Sequence, residues 1–137
     1  MKKYRVTAPA TGVLQGEIDL PASKSMSNRL LIMRALSGVD IPLIGLSHGD
    51  DTTILTKLLR QESATEMNAG IGGTTYRFLM AYLAATPGKN VVLNASGRMN
   101  ARPIGLLVNA LNKMGGDVRY LGNMGYPPIR VKGTRLT

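Results

Sequence analysis

The sequence predicts an α/β fold that contains a doubled unit, and two observations lead to this prediction. Helical and strand-like apolar patterns alternate along the 137 residues, as they do in α/β proteins. Residues 29–60 and 77–114 also share one order of helix, strand, loop and helix, with an offset of about fifty residues. The alternative is a chance likeness between two segments of helix and strand.

Each element is placed by the spacing of its apolar residues. These recur at helical spacing over residues 26–36, whereas residues 14–20 alternate between apolar and polar, the period of a half-buried strand. The first copy leaves room at residues 61–67 for a single short strand or none, while the second ends in a hairpin closed by residues 122–125. The remaining predicted elements are strands at 41–46, 91–95, 118–121 and 129–132, a second helix at 53–60, a third that includes 77–80 and a fourth at 104–114.

The ends of the helices carry their own signals. Asp50 and Asp51 are placed to cap the second helix, and Lys57 near its end favours the helix dipole. Pro103 fits the first turn of the fourth helix, where its missing N–H costs little. The glycine pair at 115–116 ends that helix.

The turn before the first helix concentrates hydroxyl and cationic side chains. Residues 21–29 read Pro-Ala-Ser-Lys-Ser-Met-Ser-Asn-Arg. A helix N-terminus leaves backbone N–H groups free and carries partial positive charge. Together with Lys24 and Arg29, these groups predict a site for a doubly charged oxyanion such as phosphate. The plainer interpretation is a helix cap at Ser23 or Ser25 beside solvated charges.

Two further elements are consistent with the same chemistry. Residues 70–77 form a glycine-rich turn in which a ligand can approach the backbone, and Thr74 and Thr75 can cap the next helix or donate to an anion. This turn and the turn at 21–29 hold equivalent places in the doubled unit and can present two helix N-termini to one cleft. Arg102 precedes a proline and is held out of the α region, which suits recognition of a carboxylate or phosphate. Otherwise it is a solvated loop arginine.

The charge balance indicates which partners the chain attracts. Seventeen basic and eight acidic residues give a net charge of +9, which favours nucleic acid, acidic membranes or phosphorylated metabolites. The basic residues are scattered, and one Phe without any Trp leaves few platforms for stacking bases, so nucleic acid is not expected. A basic module for RNA or other polyanions stays the alternative.

Composition excludes several other classes. The absence of Cys excludes disulfides and cysteine metal sites, and the lone histidine, His48, cannot form a typical zinc site and is interpreted as a surface loop residue. No apolar run reaches the roughly 18 residues of a membrane span. The default expectation is a soluble cytoplasmic protein.

Together these motifs resemble the family of 5-enolpyruvylshikimate-3-phosphate synthases. Residues 20–29, 70–78 and 98–105 look like three successive signatures of that family, and residues 122–128 look like the Gly-Tyr-Pro-Pro segment beyond them. The likeness extends over nearly the whole chain in the family's order. It implies transfer of the enolpyruvyl group of phosphoenolpyruvate to the 5-hydroxyl of shikimate 3-phosphate, on the route to aromatic amino acids, without a metal or organic cofactor.

The resemblance also implies roles for individual residues. Lys24, as the catalytic contact, would touch both substrates. The residues implied on the shikimate 3-phosphate side are Lys24, Ser25 and Arg29, and those on the phosphoenolpyruvate side are Gly73, Thr74 and Arg102. The Gly73 position is where sensitivity to glyphosate is commonly altered. The second signature departs from the family pattern, because Ile71-Gly72 replaces Asn-Ala and Thr75-Tyr76 replaces Ala-Met.

The larger departure from the family is length. Its members have two domains of three βαβαββ units each, so this chain looks like an N-terminal fragment with about two units of one incomplete domain. Residues 1–20 would be strands that pack with the opposite domain, and residues 21–137 would be the partial domain. The acidic proton-transfer residues and a later Ser-Ser-Gln segment would be missing. We therefore expect the isolated chain to be inactive and its uncovered apolar surface to favour self-association.

Overall fold

The computed structural model describes residues 3–13 and 15–137. Within them the helices are α1 (Lys24–Ser37), α2 (Asp50–Leu59), α3 (Gly73–Ala84) and α4 (Gly105–Lys113). The strands are β1 (Glu66–Asn68), β2 (Asn90–Asn94), β3 (Asp117–Tyr120) and β4 (Ile129–Lys132), and a short 3₁₀ helix spans Gly97–Ala101. The predicted α/β class is confirmed, as are the strands β2, β3 and β4 to within a residue or so at each end.

The four strands form one mixed sheet in the order β1-β2-β4-β3. Strand β1 runs parallel to β2, with Met67 opposite Leu93, whereas β4 pairs antiparallel with both β2 and β3, so that Val91 and Val118 both lie opposite Val131. All five of these side chains are buried, and the residues that alternate with them are exposed or half-buried. The sheet therefore packs one face against the helices and leaves a polar face open.

Helix α3 is the centre of the helical layer. It contacts β2, β4 and the other three helices, and Leu79, Met80 and Leu83 on it are fully buried. Tyr76 is also fully buried, and its hydroxyl donates to the carbonyl oxygen of Leu93 at 2.9 Å. Burial raises the pKa of the Tyr76 hydroxyl well above its ordinary value, because the phenolate would have to leave water.

Helix α1 buries polar residues and exposes its apolar stripe. Its buried residues are Ser27, Asn28 and Leu31. The predicted helical spacing is correct, but the stripe faces solvent, with 37–64% of each residue exposed. We call this set the outer stripe of α1, and it comprises Met26, Leu30, Met33 and Leu36.

Two predicted strands are not formed in the described part of the chain. Residues 3–13 and 15–23 contain neither helix nor strand and are exposed, so the half-buried strand predicted at 14–20 is wrong there, while Leu14 lies outside the described residues. Residues 41–46 form no strand either. A strand needs a neighbour that accepts and donates its backbone hydrogen bonds, and the described sheet contains only β1 to β4.

The predicted doubled unit is present, but its first copy lacks the strand predicted at 41–46. The first copy consists of α1, α2 and β1, and the second of α3, β2, α4 and the hairpin of β3 and β4. Strand β1 is the single short strand that one of the two alternatives for residues 61–67 required.

The start of α2 differs from its prediction. Gly49 is the N-cap and makes no side-chain cap, so Asp50 and Asp51 lie inside the first turn and do not cap the helix. Their carboxylates still lie next to the positive end of the helix dipole, and Lys57 lies in the last turn as expected.

The start of α4 also differs, but its end does not. The helix begins at Gly105 after the N-cap Ile104, so Pro103 precedes the helix and does not occupy its first turn. The N–H of Ile104 donates to the carbonyl oxygen of Gly125 at 2.8 Å, which fixes the cap from outside the helix. Gly115 follows α4 with a φ of +84°, a conformation that favours glycine, so the predicted glycine end is confirmed.

Candidate functional site

Three helix N-termini meet at one corner, and Asp51 connects them. Lys24, the first residue of α1, donates from Nζ to Asp51 Oδ2 at 2.9 Å. The Thr75 hydroxyl of α3 donates to the Asp51 carbonyl oxygen at 3.1 Å. A Cβ built on Gly72, the N-cap of α3, would lie 2.6 Å from Asp51 Oδ1. We call Lys24, Asp51 and Gly72 the three-helix corner; it joins the two turns that the sequence places in equivalent positions.

At the start of α1, the hydroxyl of Ser23 caps the helix, whereas that of Ser25 contacts Arg29. Ser23 is the N-cap of α1, and its Oγ accepts from the N–H of Met26 at 3.3 Å. Ser25 Oγ instead accepts from Nη1 of Arg29, which also donates to the Ser25 carbonyl oxygen at 3.0 Å. The Arg29 guanidinium lies 5.8 Å from the centroid of the Phe78 ring. The cap is therefore Ser23, and Ser25 and Arg29 form an exposed pair one residue into the helix.

Buried polar contacts hold α1 against α2 and the loop before it. Ser27 Oγ accepts from the N–H of Ser47 at 2.9 Å, and Asn28 Oδ1 accepts from the Thr52 hydroxyl at 2.8 Å. Ser27, Asn28 and Thr52 are all nearly or fully buried. Because these contacts lie one turn from Lys24, they fix the direction in which the first turn of α1 points.

At the start of α3, two guanidinium groups close around a glycine. A Cβ built on Gly73 would lie 2.7 Å from Arg102 Nη1 and 2.9 Å from Arg77 Nη1. Arg77 also donates to the carbonyl oxygens of Gly73 at 3.1 Å and Pro103 at 2.9 Å. Arg77 thus ties the start of α3 to the loop that carries Arg102. Only glycine leaves room for both arginines at this distance from the backbone.

The backbone of Arg102 agrees with its position before a proline. Its φ of −92° and ψ of 128° are extended, so the predicted exclusion from the α region is confirmed. The structure brings Arg102 and Gly73 together, and the adjacent Gly72 lies next to the carboxylate of Asp51, which is paired with Lys24. The cations from the two copies of the unit therefore flank one pair of glycines.

The threonines of the second turn do not cap α3. The N-cap is Gly72, without a side-chain hydrogen bond, and the Thr75 hydroxyl is directed to Asp51. Thr74 is exposed at the second position of the helix. Ile71, which stands where the family pattern has Asn, is 59% exposed and contributes no polar group.

Sequence reasoning missed two residues of this arrangement. The sequence predicts Asp51 as a helix cap and indicates no role for Arg77. An acidic residue in the first turn of a helix is common, so its position in the sequence does not predict that Asp51 contacts two other helices. The signal for Arg77 was its place four residues after Gly73, which puts both on one helix face.

Cations and helix N-termini surround Gly72 and Gly73. Lys24 is ion-paired with Asp51 beside Gly72, and Arg77 and Arg102 lie next to Gly73. The N-termini of α1 and α3 add partial positive charge, which suits an anion. The described residues contain no group of three or more side chains suited to hold a metal ion. His48 lies exposed in the loop before α2, as predicted. In the described part, no helix has the length and apolar character needed to cross a membrane.

Comparison with known proteins identifies relatives of the whole chain. A family model described as EPSP synthase (3-phosphoshikimate 1-carboxyvinyltransferase) matches residues 59–137. The chain is 43% identical to the 3-phosphoshikimate 1-carboxyvinyltransferase of Bacteroides fragilis, covering 98% of this chain and 32% of that protein. It is 37% identical to the enzyme of the same name from Bordetella pertussis, covering 91% of this chain and 33% of that protein. The chain thus spans about a third of the length of the curated relatives it matches.

A solved structure shares the fold. EPSP synthase from Acinetobacter baumannii matches with a TM-score of 0.73 and 21% identity, over 87% of this chain and 32% of that chain. The incomplete domain expected from the sequence agrees with this coverage. Since the family model matches more than half of the residues, the chain belongs to the EPSP synthase family.

Proposed function

We propose that this chain is part of an enzyme that transfers the enolpyruvyl group of phosphoenolpyruvate to the 5-hydroxyl of shikimate 3-phosphate, a step towards aromatic amino acids. The observation that carries the proposal is the junction of the three-helix corner with Arg102 across Gly72 and Gly73. Both substrates are phosphorylated anions, and this junction gathers cations and helix N-termini at one place.

The shikimate 3-phosphate side is assigned to Lys24, Ser25 and Arg29. All three lie in the first two turns of α1 and are exposed. Arg29 is turned back on Ser25 in the free protein, so a phosphate oxygen can take the place of one of these contacts without unfolding the turn. The guanidinium fork and the free N–H groups then bind the same dianion.

The phosphoenolpyruvate side is assigned to Gly73, Thr74 and Arg102. Gly73 lets the substrate approach the backbone, Thr74 offers an exposed hydroxyl, and Arg102 is held by its extended backbone next to the glycine. A side chain at Gly73 would displace both neighbouring guanidinium groups. We therefore expect this position to control access of phosphoenolpyruvate, and of glyphosate.

The residues of this chain bind and orient charge, and they do not complete the reaction. The methylene carbon of phosphoenolpyruvate must gain a proton, the attacking hydroxyl must lose one, and phosphate must leave. Asp51, the acidic residue at the corner, is occupied by Lys24. Acid and base groups must lie within hydrogen-bond reach of the reacting atoms, and we assign them to the rest of the longer enzyme. Water exclusion by a second domain is assigned there as well.

A chimera tests the proposal. In it, this chain replaces the matching third of the Bacteroides fragilis relative. We expect the chimera to release phosphate when given both substrates and to restore growth of an aromatic amino-acid auxotroph that lacks the enzyme. The 137-residue chain alone should release no phosphate above background. A folded chimera without activity, or turnover by the chain alone, would contradict the proposal.

The remaining partners follow from the exposed surface and from the substrates. We assign the outer stripe of α1 to contact with the rest of the longer enzyme, and in the isolated chain the same stripe favours self-association.

A cytoplasmic location is proposed because doubly charged substrates do not cross a membrane unaided.

One observation favours a second candidate, a polyanion-binding module. Arg119 and Arg130 lie opposite each other on the open face of the sheet, where Arg119 is paired with Asp117 and Lys132 lies opposite that aspartate. Affinity of such a surface for RNA falls steeply with salt. We expect no specific RNA binding. If the chain binds RNA more tightly than shikimate 3-phosphate at physiological salt, that result would favour the polyanion-binding module over the proposed enzyme.

A further inference from the structure

Asp51 is the less exposed member of the ion pair at the three-helix corner. Its side chain is 17% exposed, whereas that of Lys24 is 55% exposed. Its backbone is fixed by α2 and by the hydrogen bond from the Thr75 hydroxyl of α3. The short aspartate side chain therefore extends from a fixed backbone, whereas the lysine reaches it with a long, flexible side chain.

Gly72 leaves the space that this carboxylate occupies. A Cβ on Gly72 would lie 2.6 Å from Asp51 Oδ1 and 3.0 Å from Asp51 Cγ, closer than carbon and oxygen atoms pack. Any larger residue at position 72 would have to move the carboxylate. Such a movement would disturb the contact between the carboxylate and the ammonium of Lys24.

The neighbouring acidic residue shows that helix position alone does not explain this contact. Asp50 and Asp51 both lie in the first turn of α2, where either carboxylate stabilises the helix dipole. Asp50 is exposed, and among the residues that the structure describes it belongs to no ion pair. Of these two residues, Asp51 is the one that contacts both α1 and α3.

We propose that Asp51 is a positioning residue that holds the Lys24 ammonium at the three-helix corner, and that the missing side chain of Gly72 makes room for it. The inference rests on the proposed function, in which Lys24 contacts both substrates. A lysine held in place before substrate arrives loses less conformational freedom on binding, so the ion pair preorganises the site.

A double-mutant cycle in the chimera tests the positioning role. Asp51→Asn keeps the size of the side chain and should lower kcat/KM about tenfold, less than the loss expected for removing the cation itself. The same change in a Lys24→Ala background should lower kcat/KM less than twofold, because nothing remains to position. Asp50→Asn is the matched control and should change kcat/KM less than twofold. Equal losses from Asp51→Asn with and without Lys24, or no loss in either, would overturn the proposal.

A second measurement uses the 137-residue chain and needs no activity. The ¹⁵N resonance of the Lys24 side chain should shift in Asp51→Asn, should shift in the same direction in Gly72→Ala, and should stay unchanged in Asp50→Asn. A Lys24 resonance that does not respond to Asp51→Asn would refute the pairing. An inactive unmodified chimera would instead refute the proposed function, while the resonance still decides the pairing.

Discussion

Helices α1 and α3 begin the two copies of the doubled unit but differ in which face they bury. Helix α3 buries Leu79, Met80 and Leu83 against the sheet, whereas α1 buries Ser27 and Asn28 beside Leu31 and exposes its outer stripe. The difference shows that equivalent helices have separate tasks. Helix α3 is part of the core and offers a glycine backbone, while α1 presents charged side chains and an apolar surface without a partner in the described chain.

The largest expected effect tests whether the two helix N-termini serve one reaction. In the chimera, Lys24→Ala removes the cation at the start of α1 and Arg102→Ala removes the one beside the start of α3. Each should lower kcat by about 10²–10³, the usual loss when one donor to developing charge is removed. Arg98→Ala, in the exposed part of the same loop, is the control. Near-normal turnover by either of these two variants would assign the reaction to one N-terminus only.

The next effect separates the buried face of α3 from the outer stripe of α1. Leu79→Ala should reduce the free energy of unfolding by about 2–5 kcal/mol, because it leaves a cavity in the core. Met33 is 64% exposed, so Met33→Ala should change the free energy by no more than about 0.5 kcal/mol. Urea unfolding of the 137-residue chain measures both. A large loss for Met33→Ala would mean that the stripe is already covered in solution, by a second copy of the chain.

The smallest expected effect is a loss of stability at alkaline pH. It also distinguishes the two helices, because α3 buries a titratable tyrosine whereas the buried residues of α1 do not titrate. Tyr76 has its pKa raised above the ordinary value of 10.0 by burial. Above pH 10.0 the unfolded chain loses this proton first, so stability falls as pH rises towards the folded-state pKa.

Tyr76→Phe should cost about 1 kcal/mol at neutral pH, through the lost hydrogen bond to Leu93. The variant should also lose less stability than the unchanged chain between neutral pH and pH values above 10.0. Urea midpoints across that range measure both effects, with Tyr4→Phe at an 84% exposed site as the control. Parallel pH profiles for the Tyr76 variant and the unchanged chain would show that the Tyr76 hydroxyl is reached by solvent.

Prediction from sequence succeeded where a segment finds its partner nearby in the chain. The hairpin of β3 and β4 was predictable because its strands are separated by one turn. The glycine end of α4 and the extended backbone of Arg102 depend on local steric limits and were also predictable. Residues 15–20 and 41–46 have the composition of strands, but the described chain gives them no neighbour, so composition alone was misleading.

The candidate site divides in the same way. Its motifs were visible in the sequence, including the hydroxyl and cation cluster of α1 and the glycines of α3. The contact of Asp51 with Lys24 joins residues 27 positions apart, and that of Arg77 with Pro103 joins residues 26 apart. Because no local sequence pattern predicts contacts over such distances, the sequence indicates only a helix cap for Asp51.

The sequence by itself determined the α/β class, the order of the helices, the hairpin and the residue types that suit an anion site. These depend on periodicity, steric limits and side-chain chemistry, which act over a few residues. Only the tertiary structure decided that α1 turns its polar side inward, that Asp51 holds Lys24, and that Gly73 lies between Arg77 and Arg102. The physical reason is that burial and ion pairing depend on which elements pack together, and α3 brings together groups that the chain keeps far apart.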